Sequence, residues 1–376
     1  MPIKTPRNSP ASGSLPVWWR GFAIPTLLCV LAGNVAAPTA CAEDNVVLRK
    51  PGSIGRVTVT GQIVEFSGKG LDLKPTGGGA FLHYPADEVI DIETDRLPSH
   101  ERGLKLWQEE DVDGAVEQFE LALRQEPRAW GRREILAELV RCAVRRSDYA
   151  SAGARFLALY KSDPETRHLR VIPLIWINES ISETALTSAR GWLNGANDAA
   201  RLIGASLLFQ DREFDRSAQS TLRDLAKNGP DTLRPLAQWQ LRREEALSGR
   251  VVPGELVYWE HSINSLPADL QGGPSYLLAE AASRRHDHEL AAAYWTRLPV
   301  LCDYDYRLAA RATFEAGRAL AKIGQSHEAE TLFRETVERF PGTSSAREAE
   351  DQIRARRTKE VPPADSPTPR RPSRAK

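Results

Sequence analysis

The sequence lacks the short motifs that mark common hydrolases. It contains no Gly-x-Ser-x-Gly and no Cys-x-x-Cys motif. His327 begins a zinc-protease-like pattern, but Thr331 stands where that helix needs its second histidine, and His100 fails likewise because Leu104 follows. We therefore expect no enzymatic activity, no metal and no cofactor.

Histidine and cysteine are scarce, with seven and four copies. The most metal-like run is His286-Asp287-His288-Glu289, but its histidines are two apart and would face different sides of a helix, so we expect a solvated turn. Cys29 and Cys41 lie near the N-terminus. Cys142 and Cys302 fall far apart in the chain, so we expect buried thiols without a disulfide.

Net charge is also absent, since 50 basic residues balance 50 acidic ones. The balance is uneven along the chain. Residues 43–353 hold 39 basic and 48 acidic side chains, whereas the segment from Arg354 onward holds eight basic and two acidic ones. An acidic body argues against nucleic acid as the main partner.

Residues 1–42 resemble a secretory signal peptide. Three basic residues and no acid precede an apolar stretch over residues 22–35, and Ala40-Cys41-Ala42 offers a small-x-small cleavage site before Glu43. An uncleaved membrane anchor is the alternative, although the apolar stretch is short for a span of roughly 20 residues. Pro38 disfavours a lipoprotein site at Cys41. We expect export to the periplasm or the cell envelope.

Residues 46–95 predict a separate β-rich module. Val57, Val59 and Ile63 alternate with polar residues, as in a strand with one buried face. Turns at 67–70 and 77–79 separate further short strands. Four or five strands in so few residues are similar to a small SH3-like or Sm-like barrel. No GK[ST] accompanies the glycines, so we expect turns there and no phosphate loop.

Residues 99–127 predict two helices joined by a tight turn. Gly103, Ala115, Phe119, Ala122 and Pro127 have the spacing of small, bulky and terminating residues in a tetratricopeptide repeat, which this segment resembles. The template recurs about seven times between residues 99 and 357, with repeat ends at 127, 164, 197, 230, 267, 303 and 341. The fold class expected is therefore mainly α, a TPR-like α-solenoid preceded by the β module.

The match varies among the later hairpins. The third, over residues 166–195, is degenerate, and Glu255 replaces a small residue in the fifth. A polar helix over 343–357 is expected to cover the last repeat, and the Pro- and Arg-rich tail over 358–376 is expected to be disordered. The residues that match the template are Ala152, Phe156 and Pro164; Ala185, Ala189 and Trp192; Ala218, Leu222 and Pro230; Trp259 and Pro267; Ala291, Trp295 and Leu298, with Asp303 in place of proline; and Gly317, Ala329, Phe333 and Pro341.

The resemblance implies a concave groove lined by the first helix of each hairpin. Its positions map to His100, Trp107, Gln108, Arg141, Arg145, Arg167, Arg170 and Asn178. His100 and Leu104 replace two residues of the family's carboxylate clamp, so that ligand mode is not expected. The four arginines predict a cationic strip for an acidic or extended peptide. Alternatively, they form a solvated face or pair with Glu134, Glu138 and Glu165.

The sequence thus favours a non-catalytic, exported scaffold or adaptor that binds a protein or peptide segment. A second hypothesis is an assembly factor associated with the envelope or membrane, attached through the β module and the basic tail.

Overall fold

The computed structural model of the chain describes residues 43–50, 55–209, 211, 213–302 and 304–360. These residues form an antiparallel five-stranded sheet followed by fourteen α-helices. A mainly helical chain with a small N-terminal β module is therefore confirmed. The predicted signal peptide over 1–42, Asp303 and the tail beyond residue 360 lie outside the described residues.

The sheet has the strand order β4-β3-β2-β1-β5, and all paired neighbours are antiparallel. A 3₁₀ turn over Ala86–Glu88 connects β4 to β5, which returns to pair with β1. The sheet begins at Asp44, two residues before the predicted start. Its strands are β1 Asp44–Arg49, β2 Arg56–Phe66, β3 Gly70–Pro75, β4 Leu82–Pro85 and β5 Val89–Glu93.

The β module packs directly against the helices. Trp130 on helix α3 (Ala129–Arg145) is buried in the sheet's own apolar core, beside Phe66 and Leu71. Arg133 on the same helix donates to the backbone carbonyl of Phe66 over 2.9 Å. The sheet and the helices therefore share packing and belong to one compact unit.

Consecutive helices reproduce six of the seven predicted hairpins. The helices are α1 Pro98–Gln108, α2 Val112–Gln125, α3 Ala129–Arg145, α4 Tyr149–Ser162, α5 Glu183–Leu193, α6 Asp198–Leu208, α7 Asp215–Asn228, α8 Arg234–Ser248, α9 Pro253–Asn264, α10 Gly272–Arg284, α11 His288–Leu301, α12 Tyr306–Lys322, α13 Ser326–Arg339 and α14 Ser344–Glu360. The six pairs at these positions are α1/α2, α3/α4, α6/α7, α8/α9, α10/α11 and α12/α13, but α9 differs from the other second helices because it lies mainly against α10 rather than against α8. None of the described helices combines the length and apolarity needed to cross a bilayer.

The prediction of a helical hairpin over residues 166–195 is wrong for its first helix. Residues 166–182 contain only a 3₁₀ turn over Leu169–Val171, and the rest is extended or irregular up to the start of α5. Pro173 lacks the amide proton that a helix interior needs, and the run from Val171 to Ile177 is apolar on every side and rich in β-branched residues. Such a run is satisfied by an extended segment buried on both sides.

Three hairpins share one turn, in which a residue with left-handed backbone precedes an aspartate that caps the second helix. Asp111, Asp148 and Asp287 each accept a hydrogen bond from the backbone amide three residues later. The left-handed residues are Glu110, Ser147 and His286, with φ of 65°, 59° and 66°. The run beginning at His286 is therefore a helix-capping turn. No group of three or more His, Cys, Asp or Glu in the described chain could hold a metal ion.

The small residues of the template allow close helix approach. A Cβ added to Gly103 would lie 2.6 Å from the ring of Phe119, and one added to Gly317 would lie 2.8 Å from the ring of Phe333. Ala115, which was predicted to lie at the helix crossing, is fully buried. Cys142 and Cys302 are both buried, and no disulfide joins them.

Candidate functional site

The first predicted groove residue, His100, is not available to a ligand. Its side chain is 4% exposed and packs edge-on against Phe119, with 5.9 Å between ring centroids. Burial, reinforced by the nearby Arg96 charge, lowers the pKa of His100 to about 4. His100 is therefore a neutral core residue of the first hairpin at neutral pH. Gln108 is exposed at the end of α1.

Arg141 and Arg145 share a face of α3, as predicted, but both are already engaged. Their guanidinium carbons lie 4.9 and 5.2 Å from the ring centroid of Trp107. Arg145 also stacks on Tyr306 at 3.9 Å. Arg141 donates to Glu138 over 2.8 Å, which is the pairing that the sequence had left open as an alternative.

The other two arginines of the predicted strip do not lie on a helix. Arg167 pairs with Glu134 and stacks 4.0 Å from the Phe66 ring of the β module. Arg170 is exposed and lines, together with Arg141, a cavity of about 30 Å³. The structure thus brings Arg141 and Arg170 together, but directs Arg145 toward α12 and Arg167 toward the sheet.

The space expected for the missing helix is filled by residues 169–179, which we call the inner segment. Its residues Val171–Ile177 are buried. The backbone amide of Ile175 donates to the Ser206 hydroxyl over 2.8 Å, and the side-chain amide of Gln240 donates to the Ile175 carbonyl over 3.1 Å. Two buried polar side chains, one on α6 and one on α8, therefore satisfy this extended backbone.

The inner segment also reaches the later hairpins. A Cβ on Gly273, at the start of α10, would lie 2.1 Å from the indole of Trp176, so this helix needs a residue without a side chain there. At the end of the segment, Glu179 accepts a hydrogen bond from Arg307 Nε on α12 over 2.8 Å and another from the hydroxyl of Tyr149 on α4. Arg307 also donates to Ser147.

Next to the end of the inner segment lies a groove of about 610 Å³ between α10 and α12. Asn178 is the one predicted site residue that lines it. We call it the α10/α12 groove, and its lining residues are Asn178, Leu247, Tyr276, Glu280, Ser283, Arg284, His286, Arg311, Glu315, Arg318 and Lys322. The sequence pattern does not indicate this groove, because charged residues at helical spacing normally predict a solvated helix face.

In this groove, the acidic side chains are more deeply buried than the arginines that they bind. The carboxylates of Glu280 and Glu315 are 12% and 9% exposed, whereas the guanidinium side chains of Arg284 and Arg318 are 53% and 42% exposed. Glu280 accepts from Arg284 Nε over 2.8 Å, and Glu315 accepts from Arg318 over 3.0 Å. Buried acids thus orient the arginines, and the cationic groups are the ones that face solvent.

Arg311 connects the base of the groove to the last helix. It pairs with Glu315 and also donates to Glu348 on α14 over 2.8 Å. Burial lowers its pKa, but the interactions with Glu315, Tyr276 and Glu348 together raise it more, so the net pKa of Arg311 lies above the ordinary value. The arrangement suits a carboxylate ligand, because guanidinium groups bind carboxylates through paired N–H donors.

No known protein-family model matches the chain, and no curated protein shows significant similarity to it.

Proposed function

We propose that the chain is a non-catalytic scaffold or adaptor whose helical hairpins form a TPR-like array after an SH3-like β module. Its ligand is an acidic, extended segment of another protein, bound in the α10/α12 groove. The recurring capping turn and the shared Gly103–Phe119 and Gly317–Phe333 contacts support a repeat of one structural unit.

The observation that carries the proposal is the depth order of charge in the groove. Four cations, Arg284, Arg311, Arg318 and Lys322, line it with only two carboxylates, and those two are the more buried groups. A body that is acidic in total therefore presents one cationic recess. Carboxylate side chains of a ligand would meet guanidinium donors there, while Asn178 at the edge offers amide groups to a peptide backbone.

The groove replaces the predicted arginine strip as the binding site. Arg141 and Arg145 are stacked on Trp107, and Arg167 is paired with Glu134. These three arginines are 18%, 13% and 30% exposed, whereas Arg284 and Arg318, although also paired with acids, are 53% and 42% exposed. The ligand class is thus the one predicted from the sequence, an acidic or extended peptide, but its binding site is a different one.

The test is titration calorimetry with a blocked twelve-residue peptide of alternating Glu and Ser. We expect saturable binding by the wild-type protein and at least tenfold weaker binding by an Arg311→Gln/Arg318→Gln variant, which loses two of the four cations that line the groove. The matched control is Arg334→Gln/Arg339→Gln, which removes the same charge from exposed i,i+4 pairs on α13. Equal affinity of both variants would indicate non-specific attraction and reject the groove.

We also propose that the chain acts outside the cytoplasm, as its N-terminal sequence predicts. Processing before Glu43 can be measured by mass spectrometry of the protein recovered from its native cell. A mature N-terminus at Glu43 supports export with cleavage, and recovery of the intact leader in the cytosol would reject it.

A further inference from the structure

One face of α12 carries a row of cations. Arg307, Arg311, Arg318 and Lys322 are spaced by four, seven and four residues, which places them within about 60° of one another on a helix of 3.6 residues per turn. We call these four residues the α12 cation row. The last three line the α10/α12 groove, while the first binds the chain's own Glu179.

We propose that Glu179 is an internal occupant of the α12 cation row, and that an acidic ligand in the groove displaces it from Arg307. Displacement would remove the polar bridges between the second hairpin and α12 and leave only packing such as the stacking of Arg145 on Tyr306, so that ligand binding is coupled to loosening of this contact. This inference rests on the proposed function for the presence of the ligand.

The contacts of Glu179 show how its displacement from Arg307 would affect the contact between α4 and α12. One carboxylate oxygen accepts from Arg307 and the other accepts from Tyr149, so a single side chain joins α4 to α12. Arg307 adds a bond to Ser147 in the turn that precedes α4. When Arg307 turns to a ligand carboxylate, both of these bridges between the hairpins are lost.

The Glu179 side chain is 7% exposed and accepts from the buried Tyr149 hydroxyl, but it lies beyond the anchored part of the inner segment. Residues 171–177 are anchored by burial and by Ser206 and Gln240, but Asn178 and Ser180 on either side of Glu179 are exposed. No helix or strand holds residues 178–182 before α5 begins. A rotation of Glu179 toward solvent therefore needs no movement of the buried part of the inner segment.

The first test compares affinities for the same Glu/Ser peptide. Glu179→Gln removes the competing charge and keeps the size of the side chain, so it should bind the peptide about fivefold more tightly or better than the wild type. The control is Glu183→Gln, which removes a charge that is 72% exposed and paired with Arg190, and it should bind as the wild type does.

The outcomes separate the two proposals. If the wild type binds and Glu179→Gln binds with equal affinity, the competition is wrong while the groove stands. If neither protein binds the peptide, both the groove and the competition are rejected.

The second test measures opening directly and does not depend on the stability of a Glu179 variant. Spin labels are attached at Glu117→Cys on α2 and Glu338→Cys on α13, which are exposed positions outside the groove. Saturating peptide should lengthen or broaden the distance distribution of the labelled protein. A distribution that stays unchanged in saturating peptide would overturn the coupling.

Discussion

Arg307 on α12 donates its Nε proton to Glu179 over 2.8 Å, although 128 residues separate them in sequence. In an open repeat array each unit contacts only its neighbours. Here the second and seventh hairpins meet directly, through the bond from Arg307 to Ser147 and the stacking of Arg145 on Tyr306, and Glu179 of the inner segment bridges Arg307 to Tyr149. Contacts between residues far apart in sequence therefore join the first and last parts of the helical region.

The interaction between Arg307 and Glu179 should be measurable as a coupling energy. Glu179→Gln and Arg307→Gln should each lower the free energy of unfolding, because each leaves the other partner without its charged hydrogen bond. The double variant should lose less than the sum of the two, by about 1 kcal/mol or more. Chemical denaturation of the four proteins gives this value, and strict additivity would show that the pair makes no contact in solution.

The close helix approach at Gly103 and Gly317 should make both positions intolerant of a single methyl group. Gly103→Ala and Gly317→Ala should each destabilise the protein by about 1–3 kcal/mol, because the new Cβ meets the ring of Phe119 or Phe333. Gly191→Ala on α5 is the matched control. Its Cβ would meet nothing within 4 Å, and alanine favours a helix by up to about 1 kcal/mol over glycine.

Thermal unfolding of the three variants tests this repeat equivalence. The two hairpin variants should melt below the wild type and the control should melt at or above it. If Gly317→Ala alone were tolerated, the first and seventh hairpins would not be packed in the same way.

Because His100 is buried, the free energy of unfolding should depend on pH in the mildly acidic range. Its pKa is about 4 in the folded protein, against about 6.5 in an unfolded chain. Between these values the unfolded state binds more protons, so the free energy of unfolding rises with pH across this window. The contribution of His100 is complete above about pH 6.5 and is lost as pH falls toward 4, at up to about 1.4 kcal/mol per pH unit.

The test compares wild type with His100→Gln in urea at several pH values between 4 and 7. The variant should show a shallower loss of stability on acidification, because every other titrating group is common to both proteins. Parallel curves would mean that His100 is solvated and titrates normally in the folded state.

The sequence was sufficient for features set by local spacing. The tight turn of the first hairpin, the template positions Ala115 and Phe119 and the ends of most hairpins follow from helical periodicity and from turn chemistry within about 30 residues. The extended inner segment could not be predicted in the same way. A short apolar run such as Val171–Ile177 is compatible with a buried helix or a buried extended chain, and packing against α6, α8 and α10 decides between them.

The candidate site was harder to predict for a related reason. Arg311, Arg318 and Lys322 read as a solvated helix face, and only the fold places Glu280 and Glu315 beneath the guanidinium groups. The prediction for His100 erred in the opposite direction, because the resemblance assigned it to a groove and it is buried in the core of the first hairpin. Charge depth and the coverage of a helix face depend on the tertiary arrangement, which spacing along the chain does not encode.

Capture from extracts of the native cell, followed by quantitative mass spectrometry, measures whether the α10/α12 groove holds a partner protein. Wild type, Arg311→Gln/Arg318→Gln and the α13 control Arg334→Gln/Arg339→Gln would serve as parallel baits. We expect a partner with an acidic segment to be retained by wild type and control and lost from the groove variant. A partner retained equally by all three baits would contradict it.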